Sequence, residues 1–565
     1  MIGNGCIGFS DLSEINMILE NELHVVTEKR IDETSFVLGP HRTSPRIHLA
    51  VFFAFLSAVV LLQLASGAYH AEFGGYPDEP AHYVTSVMVR NYIAGLKPVS
   101  PMQFARDYYQ HYPKVALGHW PPLFYLFQAV WMLLFSISRA AVRLQIAFTS
   151  ALLAFAVYSE ARRWMKPVAA FFAGLLTVCL PLVQTYSDQE MAESLLVLTC
   201  FLAAVFFARY METEQWRPCL LFALFFSLAV LTKGSGWLLA LVPPITLLLT
   251  RKFNLLRRPQ LWVAAAIVTV LCLPWQFMTM RLVEQGWTGG EKPSLDYTVS
   301  ALGEFLVILE QIGGPALTVL TLLGIGLLVV KPAVRRVSVS PGPATMFSFI
   351  IAVWLFHSLV PAGVENRKMV IAAPALVLFL FVGGEWFAGR LPLPQSLNWR
   401  YFLTASVAAL SFFLTTFQIP RDEHYGYDEA ARFICNQPSL RSATLLVSSG
   451  SIGEGLLISE MAMLQPYPRC TILRATKTLA HVNWDASSYR CLFSSPSQLL
   501  QYLDSHGVTA VAVDNFSSAD RFDHIRLLQE AIDHSARFRL LGQFSNGSAH
   551  PLGSVLIYKL LPPTP

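Results

Sequence analysis

The chain has 565 residues, of which 54% are hydrophobic and only 14% are charged, and its mean hydropathy is +0.47. Soluble domains carry about 25% charged residues, so this composition excludes a soluble globular protein and predicts a polytopic α-helical membrane protein. The net charge of +4 is small, no basic cluster suggests nucleic-acid binding, and the eight Cys residues form no CxxC pair of a metal framework.

The apolar runs of the chain predict its membrane-spanning helices, each of which needs about 20 mostly apolar residues. Residues 1–45 are polar and lack the apolar core of a signal peptide, so they are predicted to form a cytoplasmic tail. Eleven runs of suitable length lie at 47–68, 141–160, 167–186, 191–211, 218–233, 235–250, 260–283, 306–330, 344–361, 369–387 and 401–418. A twelfth, 121–137, is short and opens with two prolines, so about 11–13 transmembrane helices are predicted.

The basic residues between these runs predict the orientation, because Lys and Arg concentrate in cytoplasmic loops. If 121–137 is an interfacial or half-embedded helix, almost all dense basic clusters fall on the side of the N-terminal tail. A large loop at 69–140 is then outside, with segments 80–95 and 102–112 amphipathic enough to lie along the membrane surface. The clusters include Arg162, Arg163 and Lys166; Arg251, Lys252, Arg257 and Arg258; and Lys331, Arg335 and Arg336.

A change of composition near residue 420 predicts a boundary between a membrane domain, 46–420, and an extracytoplasmic α/β domain, 421–565. Short apolar strands alternate there with helical patterns, which is typical of a largely parallel sheet. The glycines of "SSGSIGEG" (448–455) fit neither a Rossmann fingerprint nor a P-loop, so a plain strand-to-helix turn is predicted. Outside the membrane, Cys470 and Cys491 offer a disulfide that the sequence leaves open.

Charged residues gather at the predicted outer ends of the helices, where ionisable groups are costly and each is a functional hypothesis. A carboxylate there can take a proton from a nucleophile, and cations can hold a phosphate leaving group. Lys233 interrupts two apolar runs on the side where positive charge is disfavoured, which favours a function. The group includes Asp78, Glu79 and His82 in "DEPAH"; His119, Arg139 and Arg143; Asp188, Glu190 and Glu193; Lys233; and Glu365, Arg367 and Lys368.

Each of these residues also has an ordinary structural explanation. Basic residues at helix ends extend to the lipid headgroups, and Glu193 can be a first-turn carboxylate favoured by the helix dipole. Asp188 and Glu190 can be loop polarity, and His119 an interfacial residue before two prolines. The residues alone leave these alternatives open.

An ordered series of motifs resembles the polyprenyl-phosphate-sugar-dependent glycosyltransferases of the GT-C fold. Protein O-mannosyltransferases and the bacterial lipid A aminoarabinose and galacturonosyl transferases would be the closer relatives. The series is "DEPAHY" (78–83), "HWPPLFYL" (119–126), "RAAVRL" (139–144), "LTKG" (231–234), "LPW" (273–275) and "ENRKMVIAAPALVL" (365–378). Two departures are Lys368, where the family often has Tyr after Arg, and the lack of a clear second acidic motif.

The resemblance implies a catalytic membrane domain that takes a sugar from a polyprenyl-phosphate donor to an acceptor hydroxyl of a protein, lipid A or a glycan. Asp78 would be the general base, with Glu79 orienting a substrate and one of Asp188, Glu190 and Glu193 assisting, with a divalent metal as one option. Contacts to the donor phosphate or sugar would come from His82, His119, Arg143, Lys233 and Arg367. The implied location is a bacterial inner membrane.

Two other classes of function compete with this hypothesis. A transporter or flippase of lipid-linked or small polar substrates also places charges within helices, although internal repeats and broken mid-membrane helices are typical of that class. No clear repeat is visible, and the charges gather at one face. A non-catalytic GT-C-like scaffold is the third option, and Asp78 and Glu79 would then line no cavity.

Overall fold

The computed structural model describes residues 44–563 except 97, 117, 119, 285–292, 393–398, 451, 483–487, 517–521 and 546–552, with only the backbone of 281–284. All but the last residues of the predicted N-terminal tail therefore lie outside the described residues. Within the described ranges, a helical bundle is followed by an α/β domain.

The bundle consists of helices of very different length. They are α1 (Pro45–Ser66), α2 (Glu79–Gly95), α3 (Pro101–His111), α4 (Leu123–Leu134), α5 (Arg139–Ala161), α6 (Pro167–Cys179), α7 (Pro181–Asp188), α8 (Glu193–Thr213), α9 (Trp216–Thr232), α10 (Val242–Thr250), α11 (Pro259–Glu284), α12 (Leu295–Gln311), α13 (Gly314–Ile325), α14 (Lys331–Val334), α15 (Pro341–Leu359), α16 (Asn366–Met369), α17 (Ala373–Arg390) and α18 (Trp399–Thr415). Short 3₁₀ segments at Gly234–Leu241, Phe253–Arg257 and Val370–Ala372 and a short π-helix at Gly326–Val330 connect some of them.

Seven described stretches are long and apolar enough to cross a membrane, so the chain is a multi-pass membrane protein. They are 45–66, 139–161, 193–213, 259–280, 314–334, 341–359 and 366–390. Helices α6 and α7 together are also long and apolar enough, and would give an eighth span, but they are bent by 61° at the break between them. The bend arises because Leu180 precedes Pro181 and takes an extended conformation (ψ 129°). The count is below the predicted 11–13, since four of the predicted runs form shorter helices: 123–134, 216–232, 234–250 and the 17-residue helix Trp399–Thr415.

One predicted span, 306–330, is divided in the structure. Helix α12 ends at Gln311, and α13 begins at Gly314, whose φ of +75° is the left-handed conformation that favours glycine. A Cβ atom there would lie 2.3 Å from Thr416 Oγ1. The chain therefore turns sharply inside a continuous apolar run, which apolar content alone does not reveal.

The loops that carry the basic clusters meet at one end of the bundle. Arg163 pairs with Glu212 at 2.6 Å, which joins the loop after α5 to the last turn of α8. Arg251 donates to the carbonyl of Arg336 at 3.1 Å, which joins the loops after α10 and α14. These contacts bring basic residues of separate loops together. The concentration of positive charge in alternate loops of the sequence is therefore also a concentration at one end of the bundle.

The C-terminal domain is built around a mixed five-stranded sheet. Its elements are α19 (Tyr427–Asn436), β1 (Thr444–Ser448), α20 (Gly453–Leu464), β2 (Thr471–Arg474), α21 (Ala475–Thr478), β3 (Ala480–His481), β4 (Arg490–Cys491), α22 (Pro496–Ser505), β5 (Val508–Asp514), α23 (Asp523–His534), β6 (Phe538–Ser545) and β7 (Ser554–Leu560). The strand order is β2-β1-β5-β7-β6. The pairs β1–β2 and β1–β5 are parallel, whereas β5–β7 and β6–β7 are antiparallel. Half of the strand pairs are therefore parallel, where a largely parallel sheet was predicted.

The glycine-rich segment and the two cysteines of this domain were the subject of two further predictions. The glycine-rich segment after β1 leads into α20, as expected of a strand-to-helix turn. A Cβ on Gly453 would lie 2.0 Å from the Tyr427 hydroxyl, so close packing explains that glycine. Cys470 and Cys491 are free thiols, and the first is buried.

The C-terminal domain docks onto the loop between α1 and α5. Helix α2 lies between α4 and α20, and its first ten residues are buried by protein. Arg139 pairs with Glu460 of α20 at 2.6 Å, and the Asn91 side chain donates to the carbonyl of Pro466 at 2.6 Å. The residue that precedes α2, Asp78, is thereby held between the bundle and the domain.

Candidate active site

Asp78 is the accessible carboxylate of the Asp-Glu motif. It precedes α2, whose second residue is Pro80, and its side chain makes no capping hydrogen bond to that helix. Instead its Oδ2 lies 3.3 Å from Nη1 of Arg367, and the side chain is 32% exposed. Among the two adjacent acids, Asp78 is thus the one that a substrate can reach.

Glu79 points the other way and is completely buried. Its carboxylate pairs with Arg143 at 3.0 Å and accepts hydrogen bonds from the backbone amides of Gly75 at 2.7 Å, Tyr76 at 3.2 Å and Glu190 at 2.5 Å. A carboxylate with this many donors is held in one position. Glu79 therefore ties the loop before α2 to the segment between α7 and α8, and it faces no accessible space.

Arg367 forms a compact group with Tyr76 and Glu365. The guanidinium carbon lies 4.6 Å from the centroid of the Tyr76 ring, and Nε lies 2.7 Å from Glu365 Oε2. The Tyr76 hydroxyl donates to the same carboxylate at 2.8 Å. Because Glu365 and Tyr76 fix the planar guanidinium from two sides, its position next to Asp78 is well defined.

Lys233 ends α9 in an extended conformation and pairs with Glu193, the first residue of α8, at 2.5 Å. His82 is buried in the same region, where its ring stacks on Trp120 at 4.2 Å and its Nδ1 lies 2.8 Å from the Tyr125 hydroxyl. Burial lowers the pKa of His82 to about 4, so the ring is neutral at physiological pH.

Four of the predicted site residues lie close enough to His82 for their charges to act on its ring. They are Asp78, Glu193, Lys233 and Arg367, which are brought in from four separate parts of the chain. Glu193 is therefore the candidate second acid that lies on the Asp78 side of the site.

Asp188 and Glu190 lie elsewhere, in the buried layer around Arg143. Arg143 is 1% exposed and donates to the Asp188 carbonyl, and Glu190 contacts Gln128. Arg143, predicted as a contact of the donor, is thus enclosed by acidic groups of the protein. His119 lies outside the described residues.

Glu190 gives the site a testable dependence on pH. Burial raises the pKa of its carboxyl from 4.5 to about 7. The folded protein thus holds a proton that the unfolded chain releases, and the free energy of unfolding falls as pH rises from about 4.5 through 7. We expect the free energy of unfolding of Glu190→Gln to decrease by about 3 kcal/mol less over this pH range than that of the unchanged protein. The variant should therefore have a higher melting temperature than the unchanged protein at pH 8 but not at pH 4.5. Glu530→Gln, at an exposed position of α23, is the control, and parallel pH curves for all three proteins would contradict the assignment.

One group of potential metal ligands is present among the described residues, away from Asp78. Oxygen or nitrogen atoms of Glu72, His424 and Asp428 all lie within 4.8 Å of one another. One imidazole and two carboxylates are a donor set that divalent metals such as zinc accept. Glu72, however, also accepts from the backbone amides of Tyr425 and Tyr427 at 2.7 and 2.9 Å, so the group already has a structural role in joining α1 to α19.

Two parts of the site were not assigned from the sequence. Tyr76 belongs to the same short stretch as Asp78, but only the fold brings its hydroxyl to Glu365. Lys114 lies close enough to Asp78 for its charge to be affected. Lys114 belongs to "HYPKVALGHW" (111–120) in the predicted outer loop, where positive charge is disfavoured, and that part of the argument for Lys233 also applies to it.

Comparisons with known proteins agree with this architecture. Residues 119–277 match the family described as dolichyl-phosphate-mannose-protein mannosyltransferase. Comparison with the curated proteins gives no match.

Two solved proteins have a similar fold. ArnT from Cupriavidus metallidurans in the apo state is 14% identical, with 91% of this chain and 99% of that chain covered and a TM-score of 0.55. The same protein bound to undecaprenyl phosphate is 15% identical, with 92% and 100% covered and a TM-score of 0.54.

The second protein is the oligosaccharyltransferase AglB from Archaeoglobus fulgidus. Its complex with Zn and sulfate is 14% identical, with 88% of this chain and 72% of that chain covered and a TM-score of 0.54. Its complex with an inhibitory peptide and a dolichol-phosphate is 13% identical, with 83% and 69% covered and a TM-score of 0.50. The family match over residues 119–277 and the shared fold confirm the resemblance that the motifs indicate.

Proposed function

We propose that this protein transfers a sugar from a polyprenyl-phosphate donor to an acceptor hydroxyl in a single displacement with inversion. The observation that carries the proposal is the meeting of an accessible carboxylate, Asp78, with Arg367 at 3.3 Å and with Lys233 in the same charged region. A transfer of this kind needs a base for the acceptor proton and cations for the leaving phosphate. The transporter hypothesis does not explain this pairing.

In the proposed reaction, the acceptor oxygen forms a bond to the anomeric carbon while its proton passes to Asp78. The bond from that carbon to the phosphate oxygen breaks, and the polyprenyl phosphate leaves with the electron pair. Lys233 and Arg367 stabilise the negative charge that develops on this phosphate. Glu79 and Arg143 act as positioning residues, since both are buried and hold the loop before α2.

His82 has a related supporting role in the proposal. Its neutral ring holds Trp120 and Tyr125 beside the charged groups, and it adds no positive charge that would compete with the two cations. A divalent metal remains a candidate cofactor through Glu72, His424 and Asp428, where it would supply a link between α1 and α19. No step of the proposed transfer passes through that group.

The proposed donor is supported by the relatives, whose structures hold undecaprenyl phosphate in ArnT and a dolichol-phosphate in AglB. The isoprenoid tail would lie against the apolar helices of the bundle. Residues such as Trp262 of α11 and Phe413 of α18 are exposed there and would contact lipid.

We further propose that the transfer takes place on the outer face of the membrane. The basic loops meet at the end of the bundle away from Asp78, and such loops are cytoplasmic by the positive-inside rule. The tail, 1–45, would then be cytoplasmic, and the domain at 421–565 extracytoplasmic. A bacterial inner membrane remains the predicted location, and protein, lipid A or another glycan the candidate acceptors.

Lys233→Ala tests the assignment of the leaving group. We expect kcat/KM for the polyprenyl-phosphate sugar to fall about tenfold or more, the effect of losing a hydrogen bond to a charged group, with little change in the KM for the acceptor. The variant leaves Glu193 without its partner, so the double variant Glu193→Gln/Lys233→Ala separates donor binding from stability. Equal losses for donor and acceptor would argue against a phosphate contact.

The function as a whole is tested by comparing cells with and without the protein. Mass spectrometry of their glycolipids and glycoproteins should show one modification that disappears with the protein and returns with the unchanged chain. A profile that stays the same while export of a polar solute changes would instead favour the transporter.

A further inference from the structure

A cavity of about 390 Å³ lies in the C-terminal domain, at the end of α20 that is remote from Asp78. It is formed where α19 and α20, which pack side by side, both end. Gly455, in the first turn of α20, lies beside Pro80 of α2, whereas Leu464 ends α20 and lines the cavity. The nine residues from one to the other rise about 14 Å along the helix axis, so the cavity is separate from the proposed transfer site.

Three arginines line this cavity, and they come from three separate segments. Arg432 belongs to α19, Arg441 to the loop before β1, and Arg469 to the loop before β2. Among the described residues, no Asp or Glu side chain lines the cavity. A cleft whose charges all have one sign concentrates its electric field and attracts counter-ions. The cavity is therefore a local centre of positive charge on the domain.

Most of the guanidinium donors in the cavity are available to a ligand. Arg432 pairs with Asp428 through Nη2 at 2.6 Å, and Arg441 donates its Nε to the carbonyl of Cys435 at 3.2 Å. Arg469 makes neither a hydrogen bond nor an ion pair with the described residues. One acid thus compensates one arginine, and the other two positive charges are left without an acidic partner in the described part of the domain.

Capping of the two helix ends does not account for the three arginines. The Phe433 carbonyl accepts from the Gln437 amide at 3.0 Å, and the Met461 carbonyl accepts from the Gln465 amide at 2.8 Å. Within the described part of the chain, only Arg441 donates to a carbonyl at these ends. The other two arginines therefore have a different reason to meet at this cavity.

The remaining walls of the cavity suit the organic part of a ligand. Leu464 is 43% exposed and Tyr467 is 53% exposed at its rim. Gln465 Oε1 is buried without a hydrogen-bond partner among the described residues, and rotation of this amide can present its two N–H donors to a bound oxygen atom. The volume lies within the range of small-molecule sites, so the cavity can hold more than an isolated ion.

We propose that this cavity binds a phosphomonoester through Arg441 and Arg469, with Arg432 as a third contact. Guanidinium groups match phosphate oxygens with paired hydrogen bonds. A monoester carries about −1.5 to −2 charges at pH 7, which offsets the two uncompensated arginines, whereas a carboxylate carries one charge. The monoester is the headgroup of a phospholipid or a soluble compound. Because the cavity is remote from Asp78, this binding is additional to the proposed sugar transfer.

A ligand in this cavity would act on the junction between the domain and the bundle. The Pro466 carbonyl, in the segment that forms one wall, accepts hydrogen bonds from the Asn91 side chain of α2 at 2.6 Å and from the Tyr108 hydroxyl of α3 at 3.1 Å. A ligand that binds only the folded domain stabilises it. Occupancy should therefore raise the melting temperature of the protein.

Arginine modification tests the site directly. The full-length protein in phosphatidylcholine nanodiscs is treated at pH 8 with a limiting amount of phenylglyoxal, and modification is quantified at each arginine by mass spectrometry. We expect millimolar glycerol 3-phosphate to slow modification of Arg441 and Arg469 about fivefold or more relative to chloride of equal ionic strength. Arg539, exposed on β6, is the internal reference and should not change.

Nanodiscs that contain phosphatidic acid, the lipid form of the same monoester, identify the source of the ligand. Protection of Arg441 and Arg469 in these nanodiscs without glycerol 3-phosphate assigns the ligand to a lipid headgroup. Protection by the soluble ester alone assigns it to a soluble compound. In Arg469→Gln, glycerol 3-phosphate should no longer protect Arg441, whereas the matched variant Arg539→Gln should keep this protection.

Three results would overturn the site or its ligand. The first is equal modification of Arg441 and Arg469 with and without either form of the monoester, or equal protection of Arg539. The second is unchanged protection of Arg441 in an Arg469→Gln protein whose melting temperature is that of the unchanged chain. The third is equal protection by acetate, which would replace the phosphate ester with a carboxylate. No sugar donor is present, so these outcomes do not depend on the proposed transfer.

Discussion

We expect Asp78→Asn to lower kcat for sugar transfer by about 10² to 10⁴-fold, the usual contribution of a general base. The substitution keeps the size of the side chain but removes its capacity to take a proton. Asp78 is 32% exposed and its contact to Arg367 is at 3.3 Å, so the loss of charge has little effect on folding. The measurement is the initial rate of transfer at saturating donor, together with the melting temperature of the variant.

A matched control for this variant is Asp107→Asn. Asp107 is an exposed carboxylate on α3, in the same segment between α1 and α5, and this variant should transfer sugar at the unchanged rate. An Asp78→Asn protein with full activity would remove Asp78 from the role of base. Glu193 would then be the next carboxylate to test, since its charge acts on the same region.

The second large effect is expected on stability, from Glu79→Gln. This change leaves the fully buried Arg143 without its partner at 3.0 Å and weakens the hydrogen bonds from the amides of Gly75 and Glu190. Removing one partner of a buried ion pair costs about 3–5 kcal/mol. The expected result is a much lower yield of folded protein in the membrane and a melting temperature reduced by many degrees, measured in detergent at pH 7.

A double-mutant cycle identifies the ion pair as the cause. Arg143→Met removes the uncompensated charge, so Glu79→Gln/Arg143→Met should be less destabilised than the sum of the two single variants. A Glu79→Gln protein as stable as the unchanged chain but inactive would contradict the structural role and place Glu79 in the chemistry.

The two predictions give the two acids of the Asp-Glu motif different roles. Asp78 stands before the first turn of α2 and faces Arg367, whereas Glu79 begins that turn and faces Arg143. Adjacent residues at a helix start point in directions about 100° apart. One carboxylate is thus available to a substrate, and its neighbour fixes the loop that presents it.

The C-terminal domain contributes to the site more directly than its position in the chain suggests. Its helix α20 packs against α2, and Arg139 and Glu460 link the two parts at 2.6 Å. The same packing confines Lys114 beside Gly455. Movement of this domain would therefore alter the surroundings of Asp78.

The sequence alone determined the class of the protein and the residues worth testing. Low charge and long apolar runs predicted a multi-pass membrane protein, because hydrocarbon excludes charged side chains whatever the packing. The ordered motifs predicted the GT-C fold. The cost of charge near the membrane drew attention to Asp78, Lys233 and Arg367, which is an argument about solvation and needs no contacts.

Only the tertiary structure decided how these residues are grouped. It placed Glu193, rather than Asp188 or Glu190, beside Lys233, and it enclosed Arg143 with Glu79. It also divided the apolar run at 306–330 by a turn at Gly314 and added Lys114 next to Arg474. Direction and burial of a side chain depend on contacts between segments far apart in the chain, and neither composition nor spacing records which segments meet.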